Sequence, residues 1–242
     1  MRYFLLFSYV GTPFHGSQRQ PTGITVQQVM EEALCTILRT PVPLTFAGRT
    51  DAGVHARLMT AHFDLDSLPD NLLPRLNSLL PDTIAIHAIC PVPPEAHARF
   101  DATTRTYQYH IHWRKDPFLC GLSTRVAPGL DFDSMNCAAL HLLGEKDCAS
   151  FCRTHTDVKT TICHITRAEW TTSEYSAVFT ITANRFLRNM VRAVVGTLLD
   201  VGRHRLTPDD FAHIIARHDR TAAGQSAPPE GLFLTDITYP YL

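Results

Sequence analysis

Apolar and polar positions along this chain follow two periods in turn, and the switches between them mark its elements. Residues 3 to 10 are a short run of aromatic and aliphatic side chains ending in Gly11-Thr12-Pro13, the pattern of a strand and a turn. From Thr25 the period lengthens. Val26, Val29, Met30, Ala33, Leu34, Ile37 and Leu38 recur at three and four, which predicts a helix capped by Thr25 and closed before Pro41. Leu44 to Ala47 reads as a strand entering a turn at Gly48, and Met59 to Phe63 as a strand leaving it. Leu72, Leu73, Leu76, Leu79 and Leu80 predict a helix over residues 70 to 80, bounded by Pro69 and Pro81, and Thr83 to Ala88 is a further strand. The resulting β-α-β-β-α-β order implies a sheet with helices over one face, as in ferredoxin-like and RRM-like folds.

Pro91-Val92-Pro93-Pro94 follows and predicts a division into residues 1–94 and 95–242. Beyond it, Tyr107, Tyr109, Ile111 and Trp113 alternate along one strand. Met135, Ala138, Ala139, Leu142 and Leu143 line a helix near 133–143, and strands are expected at 161–171 and 175–183. Helices are expected at 186–200 and 208–217, and a last strand at 232–239. The second half repeats the first in outline. The expected fold is therefore α+β: two such halves whose mainly antiparallel sheets join into one extended sheet, helices on one side, and a cleft between the halves wide enough for a hairpin of RNA. Residues 221 to 231 have loop composition, which fits either a connector or a segment packed over a cleft.

With 45% hydrophobic and 19% charged residues, the 242-residue chain can bury a sizeable core and does not have the composition of a disordered one. Its 22 basic and 23 acidic residues leave a formal charge of -1, so the net field offers a polyanion little attraction. Any nucleic-acid surface must be local, and it would be built from arginine, whose planar fork suits phosphate. Seven cysteines without compact spacing point to a reducing, cytoplasmic environment. Cys148, Cys152, His155, Cys163 and His164 form the closest metal-like grouping, but it lacks a Cys-x-x-Cys pair and no metal is expected. No apolar run approaches 18 residues, so no membrane span is expected.

The segment most suggestive of chemistry is Ala47-Gly48-Arg49-Thr50-Asp51-Ala52-Gly53-Val54-His55-Ala56. On its own an aspartate in such a turn serves as a local cap. Small residues around it also let a planar ligand approach the backbone and the acid. The stretch resembles the catalytic motif of the TruA-type tRNA pseudouridine synthases, with Asp51 at the place of their essential aspartate. Three further motifs agree in order: Gly16-Ser17-Gln18-Arg19-Gln20; His97-Ala98-Arg99-Phe100-Asp101 leading to Tyr107; and Phe186 to Met190-Val191-Arg192. Val10 and Ser17 depart from the pattern, standing where aspartate and tryptophan are usual.

The resemblance implies an isomerase that needs no cofactor and no metal, acts as a cytoplasmic homodimer, and modifies uridines 38, 39 and 40 of the tRNA anticodon stem-loop. Asp51 is then the nucleophile, starting the reaction by addition at the base or the sugar or by removing a proton. Tyr107 lies against the target base, and Arg192 pairs with the aspartate and keeps it ionised. Gln18, Arg19, Gln20, Arg49, Thr50, His55, Arg57, Arg99, Arg185 and Arg188 are candidates for RNA contact, and Leu232 for packing near the uracil. Arg188 and Arg192, four apart, are expected on one face of the 186–200 helix. Two other readings stand beside this one: the same chemistry at another RNA site, and a non-catalytic module that stacks bases on strand aromatics.

Overall fold

The computed structural model describes residues 1–153 and 159–241; His155 of the cysteine–histidine grouping lies outside them. In chain order the elements are β1 (Arg2–Tyr9), α1 (Val26–Leu38), β2 (Thr45–Phe46), β3 (His55–Asp64), α2 (Leu72–Leu79) and β4 (Ile84–Val92). They continue with β5 (Thr104–His112), β6 (Thr124–Arg125), α3 (Phe132–Leu140), β7 (Gly144–Asp147), β8 (Ile162–Thr172), β9 (Ser176–Ala183), α4 (Met190–Gly202), α5 (Pro208–Arg217) and β10 (Leu232–Thr238). Two compact units result, one of residues Met1–Thr103 with Phe233–Leu242 and the other of Thr104–Leu232. The division thus differs from 1–94 and 95–242. The prolines are not a linker, because β4 runs through Pro91 opposite Tyr3. As an edge strand of its unit, β4 tolerates the missing N–H.

The first unit realises the β-α-β-β-α-β order, with strands arranged β4-β1-β3-β10 and β1 antiparallel to both neighbours. Thr25 caps α1 as expected, its hydroxyl accepting from the Gln28 N–H. Alternation along β1 sends Tyr3 and Phe7 to one face, where they meet Phe63 and Phe46. Phe4 points to the other face and meets His62, Tyr239 and Tyr241. The edge of β3 is shared. Near its end, β2 pairs Thr45 and Phe46 with His62 and Ala61. Near its start, β10 runs parallel to it, pairing Phe233 with His55 and Leu234 with Ala56. The chain between Ala47 and Val54 is thereby released from the sheet.

In the second unit the sheet order is β5-β9-β8-β7, antiparallel throughout, with the short β6 parallel to β5. β8 buries Cys163, Ile165, Ala168 and Trp170 and exposes the residues between, so one face of this sheet is wet. The Asn136 side chain of α3 exchanges hydrogen bonds with the backbone of Trp170 and fastens the helix to β8. The strands β6 and β7 are too short to show a period. Trp113 lies just beyond β5 and donates its backbone N–H to Tyr175.

The expected helix at 186–200 begins later, at Met190. Asn189, its first flanking residue, has φ 64°, which breaks the helical path. Arg188 is therefore off the helix and shares no helical face with Arg192, which corrects the pattern-based placement. The run of apolar residues from Leu187 to Val195 misleads because its first members pack from a turn rather than from a helix.

Buried His62 of β3 accepts the Ala98 N–H at Nδ1, which requires that nitrogen to be unprotonated. Burial, with Arg2 and His97 nearby, lowers its pKa from the ordinary 6.5 to about 4. A depressed histidine pKa means that the unfolded chain binds the extra proton first. The stability it contributes is whole above about pH 6.5 and is lost as pH falls towards 4. Thermal melts between pH 7 and 4 are expected to show this slope in the parent and a flatter one in His62→Asn, whose amide oxygen replaces the acceptor without titrating.

Candidate active site

Asp51 sits in the loop released where β2 leaves the edge of β3. Three polar contacts hold the residue before it. The Ser17 hydroxyl accepts the Thr50 N–H at 2.9 Å, the Ser17 N–H donates to the Thr50 carbonyl at 3.2 Å, and the hydroxyls of Tyr9 and Thr50 meet at 2.8 Å. Ser17 and Thr50 are buried, whereas Asp51 is half-buried and Ala52 and Arg49 are exposed. The carbonyls of Gly16 and Ser17 in turn accept the N–H groups of Val26 and Gln27, two of the donors that an α-helix leaves unpaired at its start. The first turn of α1, the Gly16-Ser17 segment and Thr50 thus form one hydrogen-bonded relay that ends at the residue before the acid.

The far side of the loop is fastened as well. Gly11 donates its N–H to His55 Nδ1 at 3.0 Å, and a Cβ at Gly11 would lie 1.9 Å from the Val54 carbonyl oxygen, so only glycine fits. His55 is buried and stacks on Phe233 at 4.5 Å, and the Arg57 guanidinium lies 5.3 Å from the same ring. His55 is therefore built into the scaffold of the turn, a packing role that its place in the motif does not reveal. Val10, the first departure, is solvent-facing and its N–H bonds Thr83. Ser17, the second, is the clamp itself.

The remaining candidates of the first unit lie at its surface. Gln18, Arg19 and Gln20 are exposed. Arg19 is drawn towards Glu31 and Glu32 of α1 at 3.9 and 3.5 Å, and the Gln20 amide donates to the His15 carbonyl. Arg99 lies over the ring of Phe100, itself 74% exposed, with its guanidinium carbon 5.7 Å from the ring centre.

In the second unit, Arg192 belongs to the first turn of α4. From Met190 to Leu199 this helix is buried except at Arg192, which is half-buried. A solvated face does not explain that position. Its Nε donates to the Ala227 carbonyl at 2.7 Å, and the Ala227 N–H donates to the Arg192 carbonyl at 2.9 Å. Bonding at Nε fixes the plane of the guanidinium and hence the direction of its two terminal nitrogens. Gly196 lies one turn on, where a Cβ would be 1.8 Å from the Gln225 carbonyl oxygen; it allows a loop, rather than another helix, to lie on α4. Residues 224 to 227 thus lie on α4.

Tyr107 on β5 is half-buried, and its ring meets Phe186 edge to face at 5.0 Å. The next inward tyrosine, Tyr109, is fully buried, and burial raises its pKa, so its hydroxyl stays protonated and donates to the Pro228 carbonyl at 2.8 Å. Arg185 is half-buried, Arg188 exposed and Leu232 buried. The thiols of Cys148 and Cys163 are buried and donate to the carbonyls of Lys146 and Thr161, and the neighbouring sulfur together with burial keeps Cys148 protonated.

The family model described as tRNA pseudouridine synthase matches residues 5–101 and 138–240, a span that takes in the Asp51 turn and both Arg192 and Leu232. The chain belongs to this family, in its TruA type. It is 55% identical to tRNA pseudouridine synthase A of Parabacteroides distasonis over 99% of its own length and 96% of that protein's. The corresponding protein of Bacteroides fragilis is 53% identical over the same shares. That of Geobacter sulfurreducens is 41% identical over 97% and 98%. Enzymes of this family are isomerases, and the α+β fold with helices over sheets agrees with the resemblance.

Removing the Ser17 hydroxyl leaves the Thr50 N–H buried and unpaired, at a cost of about 1–3 kcal/mol. Urea unfolding of Ser17→Ala is expected to show a loss of that size, and turnover is expected to fall with it as the turn loosens. Unchanged stability would show that the clamp is not needed.

Proposed function

We propose that this chain converts uridine to pseudouridine at positions 38, 39 and 40 of the tRNA anticodon stem-loop, without a cofactor, as a cytoplasmic homodimer. Asp51 is the nucleophile, Tyr107 lies against the target base, and Arg192 keeps the acid ionised. The observation that carries the reading is the construction of the Asp51 turn: Thr50 before the acid and His55 beyond it are buried and hydrogen-bonded, while the acid itself is only half-buried. A fixed backbone beneath an accessible carboxylate limits the reorganisation needed before attack.

The reaction breaks the N1–C1′ bond of uridine, turns the uracil and forms a C5–C1′ bond. The C5 proton leaves and N1 gains one, so nothing is oxidised and the atoms balance. A carboxylate suffices to begin it, by addition or by proton removal, and the same group can accept the C5 proton afterwards. Bases in the stem are paired or stacked, so the uridine must be extruded, and a weak local pair lowers that cost. Tyr107, with an aromatic face and a hydroxyl, suits an unstacked pyrimidine. Arg19, Arg49, Arg57, Arg99, Arg185 and Arg188 supply cations for backbone phosphates, with Gln18 and Gln20 as neutral donors, Thr50 and His55 holding the acid's turn, and Leu232 beside the base. A dimer of two nearly neutral chains can present one continuous basic surface while its acids lie elsewhere. None of the seven cysteines is in a disulfide, which fits a reducing compartment.

Pseudouridine mapping on tRNA incubated with purified protein tests this reading. Conversion is expected at the three anticodon-stem positions, and Asp51→Asn is expected to lower the rate about a thousandfold or more while still binding tRNA. An active Asp51→Asn protein whose amide has not hydrolysed would overturn the assignment, and conversion elsewhere would move the substrate site. Arg192→Ala is expected to fold and bind tRNA with turnover lowered at least about a hundredfold, read from single-turnover rates.

A further inference from the structure

The loop over α4 has more polar fastening than a connector needs. Working along it, the Gly224 N–H donates to the Thr197 hydroxyl at 3.0 Å, and Thr197 donates to the Ala193 carbonyl. The Ser226 hydroxyl accepts from two side chains at once, Asn189 Nδ2 at 2.6 Å and Arg220 Nη2 at 3.0 Å. Arg220 uses its other terminal nitrogen on the carbonyls of Ala223 and Gly224, at 3.3 and 3.2 Å. Ala227 then gives both its N–H and its carbonyl to Arg192. The contacts fall on Asn189, Arg192, Gly196 and Thr197, at the start and along one face of α4.

We infer that residues 223–228 are a strap that aims the Arg192 guanidinium, with Ser226 and Arg220 as positioning residues for the isomerisation. The inference rests on the role proposed above for Arg192. Its logic is geometric. The Ala227 carbonyl takes the Nε proton of Arg192, so the orientation of the guanidinium follows the position of that carbonyl. That position is set one residue earlier, where Ser226 is tied to the residue that opens α4 and to Arg220. Asn189 has a left-handed backbone, so its side chain leaves the helix start in a direction that a helical residue would not take. Arg220 bonds three acceptors of one short segment in a fork, which lysine cannot reproduce. A misplacement of about 1 Å in a group acting on the reaction costs on the order of a hundredfold in rate, so small movements of the strap have large consequences for turnover.

The test compares Ser226→Ala, Ser226→Thr, Arg220→Lys and Arg192→Ala with the parent protein and unmodified tRNA. Ser226→Ala and Arg220→Lys are expected to lower kcat about ten- to a hundredfold, with KM for tRNA within about twofold and the melting temperature little changed. Ser226→Thr, which keeps the hydroxyl, should recover most of the rate. Single-turnover assays should show no further loss when Ser226→Ala is added to Arg192→Ala, because the strap then has nothing left to aim. Amide exchange at Ala227 should quicken in Ser226→Ala independently of activity. Parental kcat in Ser226→Ala, with Arg192→Ala impaired, overturns the strap and leaves the role of Arg192 standing. Full multiplication of the two losses also overturns it, since a merely structural loop would behave so. Parental turnover in Arg192→Ala removes the reading of Arg192, and the inference falls with it.

Discussion

A strand edge must have its backbone groups paired, and in the first unit one edge of β3 is paired by two different segments. β2 serves Ala61 and His62 and then departs, and β10, from the other end of the chain, serves His55 and Ala56. Had β2 continued, residues 47 to 54 would have been strand and Asp51 one more side chain on a pleated surface. Because the edge is taken over, those residues can leave the sheet without orphaning its hydrogen bonds. The turn that carries the acid is thus a consequence of the last strand, β10. The parallel direction of β10 also brings Phe233 beside His55, where the two rings stack.

Once out of the sheet, the turn needs another source of rigidity, and it is polar rather than apolar. Ser17, Tyr9, Gly11 and the first turn of α1 supply it through hydrogen bonds to Thr50, His55 and the Gly16 and Ser17 carbonyls. An apolar anchor would bury as much surface but would not fix the orientation of the peptide beneath Asp51. The same solution recurs in the second unit, where the loop over α4 is fixed through Ser226, Ala227 and Gly224 instead of through a hydrophobic plug. Each of these contacts is directional. Those at Thr50 and His55 also leave a buried polar group unpaired if a partner is lost, which is why such networks specify one geometry more sharply than they raise stability.

The strong periods were legible in the residues: α1 with its Thr25 cap, the β-α-β-β-α-β order, the strand β8, and α5 opening at Pro208. The family was legible from contiguous motifs. What the pattern misread was local backbone. Pro91 looked like a boundary because its place on an edge strand depends on which strand lies beyond it, a non-local fact. Asn189 looked helical because its left-handed conformation has no signature in the apolar period. Ser17 looked like a lost tryptophan, since the residue it clamps is 33 positions away. The bonds of Arg192 to Ala227 span 35 positions and were equally hidden.

The near-neutral net charge also becomes intelligible when its pairs are placed. Arg2 with Asp64, Arg19 with Glu31 and Glu32, Arg167 with Glu169, and Arg203 and Arg205 with Asp200 neutralise one another at the surface. Exposed pairs of this kind are worth about 0–1 kcal/mol. If Arg19 meets a phosphate as proposed, the phosphate would displace Glu32 at small cost, while the carboxylates of α1 would stay nearby and oppose a poorly placed polyanion. A strongly basic surface would hold any RNA. On the proposed role of Arg19, such a local balance of charge would favour an RNA that brings several phosphates into place at once.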